Sequence, residues 1–507
     1  MNLLSSATIF SFFTLISRVL GYFRDILIAF FLGTSIFADA FFVAFRLPNT
    51  FRRLFAEGTF NAAFIPSYTT AKLRNKKRGK KFADEVLSIL LLLLIFIVTL
   101  AEIFTPYLLY LIAPGFVTDD IKFNLAIELT RITFPFLLFV SLASFFSGIL
   151  NSNNKFAAAA AAPIILNLVL IIVLYISYLE NFNIAKQLSY GVTLAGILQL
   201  TFLIFFTYRF YKPKFKFLFK ISKEVKFFFK KLLPSIFSSG VIQINILVGT
   251  IIASFQSGAV SYLYYAERVY QINLALAGIA VGTVSLPALS KIIKSKNFLK
   301  VFDIQNKSIQ LSLLLSIPAS LGLILASEEI VNGLFGYGSF TSEDVRITSH
   351  ALKFFGYGVV AFALIKILSN FFFARDNTKI PFYISALIVF LNILISLSLF
   401  NQVGFLIIPI ATSVSSWIGV VIFLYILVRK KFINFEKEFI NNILKILISS
   451  IIMSFTLIFS LKEFSSYLDY EYIYKSIYLL IIIGIAVIFY LLTCYLLLLV
   501  ALVSETV

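Results

Sequence analysis

The chain has 507 residues, of which 60% are hydrophobic and 13% are charged. Soluble domains are about half apolar and a quarter charged, so this composition excludes a soluble protein and predicts a polytopic membrane protein. The single cysteine, Cys494, excludes an intrachain disulfide and disfavours a thiolate metal site, and the single histidine, His350, leaves no usual nucleophile–base pair.

About 20 consecutive apolar residues are needed to cross a bilayer. Fourteen segments meet that length, and turn signals such as "NSNNK" (Asn151 to Lys155) separate them. In chain order, the predicted spans are 7–32, 36–62, 85–112, 123–150, 157–179, 187–210, 232–255, 259–287, 304–326, 347–373, 380–400, 404–428, 439–461 and 475–502. The first span has no small-residue cleavage site, so we expect it to remain in the membrane.

The net charge of +19 is concentrated in alternate loops. With the N-terminus inside, the loops that hold most of the lysine and arginine are 72–81, 212–231, 291–300 and 429–437. The opposite loops hold few basic residues and carry several acids. This asymmetry predicts that both termini are cytoplasmic, and that the excess charge faces anionic membrane lipids rather than nucleic acid.

The longest inside linker, 211–231, alternates lysine with phenylalanine, which is typical of an amphipathic segment in the membrane interface. It separates a six-span N-lobe (1–210) from a six-span C-lobe (232–430). The remaining residues, 431–507, form a C-terminal helix pair. We therefore predict an all-α polytopic membrane protein with fourteen transmembrane helices.

The two predicted lobes share short patterns at a nearly constant offset. The motif "AFR" at 44–46 matches "AER" at 266–268 at an offset of 222, and "LNSNNKF" at 150–156 matches "ARDNTKI" at 374–380 at an offset of 224. An even number of spans in each repeat predicts a parallel repeat with its axis along the membrane normal. Transporters are built in this way, with the substrate site between the lobes.

The first span carries three charges inside an apolar run. Projected at about 100° per residue, a polar stripe within an arc of about 120° contains Ser17, Arg18, Gly21, Arg24 and Asp25. Charges inside a membrane usually face a bundle interior or a wet cavity and mark substrate or ion paths. Ion pairs that only hold helices together are the structural alternative.

Further charges lie on the second and eighth spans. The three spans together carry Arg18, Arg24, Arg46, Arg52, Arg53 and Arg268 against Asp25, Asp39, Glu57 and Glu267. Six arginines against four carboxylates leave a surplus of two positive charges, which favours an anion-binding cavity. Arginine suits bidentate recognition of phosphate, although Arg52 and Arg53 can also snorkel to the inner surface.

Catalytic motifs are missing from the sequence. It contains neither a GxxxxGK[ST] nucleotide loop nor an HExxH motif, so we predict neither an enzyme nor a cofactor nor a metal site. An alternative from another class is a membrane glycosyltransferase that uses outer-loop carboxylates such as Asp119 and Asp120, or a structural scaffold. No large outer domain supports the glycosyltransferase.

Several stretches resemble the MurJ/MviN family of bacterial lipid II flippases, within the multidrug/oligosaccharidyl-lipid/polysaccharide exporter superfamily. They are "RVLGYFRD", "ADAFFVAFRLPNTFRRLFAEGTFNAAFIP" (Ala38 to Pro66), "APGF" (Ala113 to Phe116), "ITFP" (Ile132 to Pro135), "YYAERV" (Tyr264 to Val269) and "FGYGSFTSED" (Phe335 to Asp344). The resemblance covers the whole chain. It implies fourteen helices, with two six-helix lobes and a C-terminal pair that forms a lipid-facing groove.

The resemblance also implies a function in the bacterial cytoplasmic (inner) membrane. Lipid II, an undecaprenyl-diphosphate-linked glycopeptide, would move from the inner to the outer leaflet by alternating access, with its diphosphate in a cationic cavity. Peptidoglycan-synthesis proteins would be further partners. The family's functional residues fall on Arg18, Arg24, Arg52, Arg268 and Asn49, and its acids on Asp25, Asp39 and Glu57. Glu267 stands beside Arg268 where many members have Asp.

Two alternatives within transport remain. One is a flippase for another polyprenyl-diphosphate-linked glycan, and the other is a drug or cation exporter of the same superfamily, which would need an acidic cavity. Some relatives resemble sodium-coupled exporters, but the seventh and eleventh spans contain no Asp or Glu. We therefore predict no sodium site, and expect Gln243, Asn245 and Asn392 to form interhelical hydrogen bonds.

Overall fold

The structure is a computed structural model that describes residues 3–55, 59–215, 221–294 and 298–504. Within these ranges the chain forms helices joined by short turns, with no strand. The helices are α1 (Leu3–Leu32), α2 (Ile36–Phe55), α3 (Thr59–Arg74), α4 (Lys76–Ile103), α5 (Thr105–Ile112), α6 (Asp120–Thr133), α7 (Phe136–Ser152), α8 (Phe156–Leu179), α9 (Ile184–Thr207), α10 (Lys223–Ala253), α11 (Ala259–Leu274), α12 (Val281–Lys294), α13 (Phe298–Leu325), α14 (Ser327–Phe335), α15 (Ser342–Phe373), α16 (Lys379–Val403), α17 (Ile407–Arg429), α18 (Lys437–Glu463) and α19 (Lys475–Ser504).

Each predicted span falls on one of these helices or on a consecutive pair. In the described residues, ten helical stretches are long and apolar enough to cross a membrane. The longest, Lys379–Arg429, has 51 residues and contains both α16 and α17. Between them Gly404 has a positive φ of 68°, which glycine adopts without steric cost. The all-α membrane class is therefore confirmed, and the count of fourteen crossings stays a prediction.

Some predicted spans are interrupted helices. Pro135, which lacks an N–H group, lies between α6 and α7. A π-helical turn, Ala275–Ala280, joins α11 to α12. Such turns are often found at functional sites. Hydropathy averages over these breaks, so the sequence predicted each of these two spans as continuous.

The chain divides into two compact units, Met1–Ser261 and Tyr262–Val507. The first unit includes α10, which packs against α3 and α2. The predicted boundaries of the lobes, linker and helix pair follow the sequence repeat rather than these units. Those boundaries stay a prediction.

Two turns that the sequence predicts on the inside have the geometry expected of a repeat. Asn154, after α7, and Asp376, after α15, have φ angles of 58° and 56°. In each turn, three consecutive N–H groups donate to backbone carbonyl groups, at 153–155 in one turn and at 375–377 in the other. The donors and acceptors have the same spacing along the chain in both turns. Equivalent residues are separated by 222 positions, as in the "AFR" and "AER" motifs, so the offset of 224 predicted for "LNSNNKF" and "ARDNTKI" is wrong by two residues. Asn and Asp tolerate a positive φ better than most residues.

In the first unit, α4 holds both described ends of the linker that the sequence predicts on the inside. Asp84 accepts hydrogen bonds from the Tyr211 hydroxyl (2.6 Å) and the Lys214 N–H (3.2 Å), and Glu85 accepts one from the Ser222 N–H (3.2 Å). Both carboxylates are buried. Burial and the nearby Asp84 carboxylate raise the pKa of Tyr211, so its phenol stays protonated and donates. The linker residues 216–220 lie outside the described residues.

In the second unit, α15 lies between α13 and α17, with Phe371, Phe372 and Phe423 in the core. The C-terminal helices α18 and α19 pack on each other, and α18 packs on α13. The Tyr490 hydroxyl of α19 donates to the Leu314 carbonyl (2.7 Å). Large apolar side chains such as Phe455 remain exposed on this pair. This surface suits contact with lipid.

Candidate functional site

Arg24 on α1 is held by side chains from two helices. Its Nε and Nη2 atoms donate to Asp25 Oδ1 (3.1 and 2.6 Å), and its Nη1 donates to Asn167 Oδ1 on α8 (2.8 Å). Asn167 in turn donates from Nδ2 to the Ser17 carbonyl (2.8 Å). The side chains of Arg24, Asp25 and Asn167 are all buried. Asn167 therefore links the Arg24 side chain to the backbone of α1.

The face of α1 that contacts Asn167 is the predicted polar stripe. A Cβ atom at Gly21 would lie 3.5 Å from the Asn167 amide, which is an ordinary contact distance, so Gly21 faces Asn167 directly. Val19 and Phe23, outside the stripe, are 60% and 50% exposed. Arg18 belongs to the stripe by sequence but is exposed. The stripe thus serves largely to pack α1 against α8, with Arg18 at its exposed margin.

Asp39, in the first turn of α2, is fully buried and accepts four hydrogen bonds. Its Oδ2 accepts from Lys122 Nζ (2.6 Å) and the Gly258 N–H (2.9 Å), while Oδ1 accepts from the Ser261 N–H (2.9 Å) and hydroxyl (2.6 Å). These two N–H groups belong to the start of α11, where N–H groups have no partner within the helix. Asp39 therefore caps α11 from another helix, and its basic partner is a lysine, whereas the sequence suggested an arginine.

The other predicted residues of α2 are close together on one helix face. Arg52 Nε donates to Asn49 Oδ1 at 2.9 Å, and both side chains are half-buried. Their spacing of three residues makes them neighbours on the helix. Glu57, the predicted counter-ion that follows, lies outside the described residues. Asn49 therefore orients the Arg52 guanidinium.

Arg268 and Glu267 are half-buried on α11, in the second unit. Arg268 Nη2 donates to the Tyr264 hydroxyl (3.0 Å), and its guanidinium carbon lies 4.7 Å from the centre of the Tyr264 ring. This is a cation–π contact. Tyr264 is one helical turn before Arg268, so it holds the guanidinium along α11.

Three arginines, Arg24, Arg52 and Arg268, each have one neutral side-chain partner. Asn167, Asn49 and Tyr264 are neutral acceptors, and each accepts a hydrogen bond that orients one of the guanidinium groups. Arg24 also bonds a carboxylate, that of its neighbour Asp25. An oriented guanidinium has the planar geometry that bidentate recognition of a phosphate group uses.

Sequence reasoning gave no role to several of these partners. Neither Asn167 nor Lys122 belongs to a sequence pattern that predicted a site residue. Ser261 and Tyr264 carried no signal as single residues. Ser261 is 222 positions after Asp39, so the repeat offset was the one pattern that related the two.

Comparison with known proteins places the chain in a family. The family model described as "Lipid II flippase MurJ" matches residues 28–481. The chain belongs to the MurJ family. It is 37% identical over 495 residues to a probable lipid II flippase MurJ of Rickettsia prowazekii, covering 96% of this chain and 97% of the relative. A relative with the same description from Rhizobium tropici is 38% identical over 459 residues, covering 88% and 85%.

Solved structures agree with this MurJ assignment. A structure of the lipid II flippase MurJ in an inward closed conformation has a TM-score of 0.80 and 31% identity, covering 95% of this chain and 97% of that one. An inward-facing multidrug transporter of the MATE family has a TM-score of 0.70 at 14% identity, covering 82% and 94%. The second likeness shows a shared fold alone. The family confirms the resemblance seen in the sequence, and identifies a multi-pass inner-membrane transporter rather than an enzyme.

Proposed function

We propose that this MurJ-family protein moves lipid II, the undecaprenyl-diphosphate-linked peptidoglycan precursor, from the inner to the outer leaflet. The family and its named relatives support this substrate. The observation that carries the mechanism is that hydrogen bonds to neighbouring side chains orient the guanidinium groups of Arg24, Arg52 and Arg268, of which Arg24 is the most fully held. Such a set matches a diphosphate better than it matches a cationic drug.

The diphosphate would bind Arg18, Arg24, Arg52 and Arg268, with Asn49 orienting Arg52. In the empty state Asp25 neutralises Arg24 from the adjacent position. When the diphosphate enters, it replaces Asp25 as the anionic partner, while Asn167 keeps its bond to Arg24 Nη1. The guanidinium therefore stays aimed during the exchange, and Asp25 is the resting counter-ion. Glu57 and Glu267 would serve Arg52 and Arg268 in the same way.

Asp39 would act as a gating residue in an alternating-access cycle. The Asp39–Lys122 pair lies at the predicted outer side and holds the first turn of α11. Breaking those bonds frees the start of α11, and the following turns of that helix carry Arg268. Membrane potential would bias a cationic cavity between its two states, at about 2.3 kcal/mol per charge per 100 mV. No sodium site is part of the proposal.

The test is complementation of a bacterium depleted of its own lipid II flippase. An Arg24→Ala, Arg268→Ala double variant should fail to support growth although it reaches the membrane. Arg346→Ala is the matched control, because Arg346 is 61% exposed and bonds its surface neighbour Glu343. Normal growth of the double variant would refute the proposed diphosphate site.

A second measurement tests the identity of the substrate independently of the arginine site. After this protein is depleted, leaflet-resolved labelling measures how much lipid II lies in each leaflet. The same labelling is applied to any other polyprenyl-diphosphate-linked glycan in the cell. Lipid II should accumulate in the inner leaflet while the other glycan is unaffected. The reverse result would support the alternative glycan flippase and overturn lipid II as the substrate.

A further inference from the structure

The segment Phe335–Asp344, "FGYGSFTSED", has no role in the proposed substrate site. It runs from the end of α14 to the first turn of α15, where Thr341 and Asp344 form a capping box. Its side chains and carbonyl groups contact two other parts of the second unit. One is the start of α11, and the other is the start of α19.

The contact with α11 is aromatic and fully buried. The Tyr265 ring packs against Phe335 and Phe340, with ring centres 5.1 and 5.3 Å apart. Tyr262, one turn earlier, donates its hydroxyl to Asp344 Oδ1 (3.2 Å). Tyr265 lies one turn before Arg268, so this contact fixes the stretch of α11 that precedes the arginine.

The contact with the C-terminal helix pair is centred on a buried lysine. Lys475, the first residue of α19, is 1% exposed. Its Nζ donates to the carbonyl of Gly336 (2.6 Å) and to that of Tyr470. The same ammonium lies 4.3 Å from the Tyr337 ring centre and 4.5 Å from that of Tyr470. Carbonyl groups and aromatic faces thus replace its hydration shell.

Three further bonds close the same contact. The Tyr337 and Ser476 hydroxyls are 2.6 Å apart, and Ser476 donates to the Gly333 carbonyl (2.6 Å). Tyr470 donates to the Phe340 carbonyl (2.8 Å). The carbonyl groups of Gly333 and Gly336 lie at the C-terminal end of α14, where helix carbonyls lack partners and attract positive charge.

Gly333 of α14 lies against the Leu479 side chain of α19. A Cβ atom at Gly333 would lie 2.6 Å from Leu479 Cδ2, so a larger residue there would require the Leu479 side chain to shift. The glycine, the buried ammonium and the tyrosine hydroxyls are all specific to this contact. Apolar packing alone would require neither a buried ammonium group nor hydrogen-bonded tyrosine hydroxyls.

We propose that Phe335–Asp344 is a docking platform that joins α11 to the C-terminal helix pair, with Lys475 as the anchor of that pair. The platform is a positioning element: when α11 moves, α19 moves with it. Its consequence for transport rests on the proposed function, since Arg268 is a substrate residue only in that proposal. The coupling itself is a property of the empty protein.

Hydrogen exchange of the full chain in lipid nanodiscs tests the coupling without substrate. Lys475→Met should raise amide exchange about tenfold at 464–479 and also at 262–268, because both ends share the platform. Lys462→Met is the matched control: it removes the same charge from an exposed site at the end of α18 and should change neither segment more than about twofold. Tyr265→Leu should show the reciprocal effect, with faster exchange at 464–479.

Changes confined to 464–479 in Lys475→Met and to 262–268 in Tyr265→Leu would overturn the coupling. Tyr337→Phe, which removes one hydroxyl contact and no charge, should give the same pattern at smaller amplitude if Lys475→Met fails to fold. An unchanged pattern in Tyr337→Phe then overturns the platform. A protein that shows the coupling but moves no lipid II would refute the proposed function and leave the platform standing.

Discussion

Replacing Asp39 by asparagine changes one atom of a carboxylate that four donors share. The amide oxygen of the introduced side chain can still accept from Ser261, but its NH₂ group then faces Lys122 Nζ and the Gly258 N–H, which are also donors. Lys122 is 4% exposed, so its charge is left buried beside a donor in place of its carboxylate. Breaking a buried pair in this way costs about 3–5 kcal/mol. We expect Asp39→Asn to lower the free energy of unfolding by that amount.

A double-mutant cycle with Lys122→Met separates the ion pair from the capping bonds. Lys122→Met alone leaves Asp39 with three donors, at Gly258 and Ser261, and should cost less than Asp39→Asn. The double variant removes the donor–donor conflict, so the coupling energy should exceed about 1.5 kcal/mol. Equilibrium unfolding of the purified protein in mixed micelles measures all four free energies.

An exposed ion pair in the same unit provides the control. Lys186 bonds Glu128 with side chains 41% and 47% exposed, so Lys186→Met should cost about 0–1 kcal/mol. The reasoning is refuted if Asp39→Asn costs no more than Lys186→Met. It is equally refuted if the costs of Asp39→Asn and Lys122→Met simply add.

Three further changes test the arginine support and the linker. Asn167→Leu should weaken lipid II binding to the purified protein about tenfold or more, because Arg24 loses a charge-assisted bond; an affinity within twofold of wild type would contradict its positioning role. Gly21→Ala should support normal growth in the complementation assay, because the added Cβ makes an ordinary contact with Asn167. Gly21→Leu should fail, because its larger side chain collides with Asn167. Equal growth of the two variants would refute the close packing of α1 against α8. Asp84→Ala should speed tryptic cleavage after Lys212 and Lys214 several-fold, because it releases Tyr211 and the Lys214 N–H. Asp303→Ala, at an exposed ion pair on α13, should leave the cleavage rate unchanged. Equal cleavage rates in the two variants would refute the role of Asp84 in holding the linker.

Local patterns carried most of the fold prediction. Hydropathy located each predicted span on a helix or a consecutive pair, and helical periodicity correctly separated Val19 and Phe23 from Arg24 and Asp25 on α1. Breaks such as the π-helical turn after α11 were missed, because they depend on backbone hydrogen bonding that an average over about 20 residues does not register.

The partners of the charged residues were beyond reach of the sequence. Arg24 bonds Asn167, 143 residues away, and Asp39 bonds Lys122, 83 residues away. The charge count suggested arginine–carboxylate pairs; Arg24 with Asp25 has that form, whereas Asp39 pairs with a lysine from another helix. Lys475 had no signal at all, since it was one more lysine at the edge of a predicted span.

The sequence by itself determined the membrane class, the positions of the helices, the polar stripe of α1 and a repeat offset of between 222 and 224 residues. These properties follow from hydrophobicity and periodicity, which act over short stretches of chain. Only the tertiary structure decided that Asp39 caps α11, that Asn167 orients Arg24 and that Lys475 anchors α19. The physical reason is that a buried polar group must find a partner wherever packing brings one within about 3 Å, and packing is set by the whole fold.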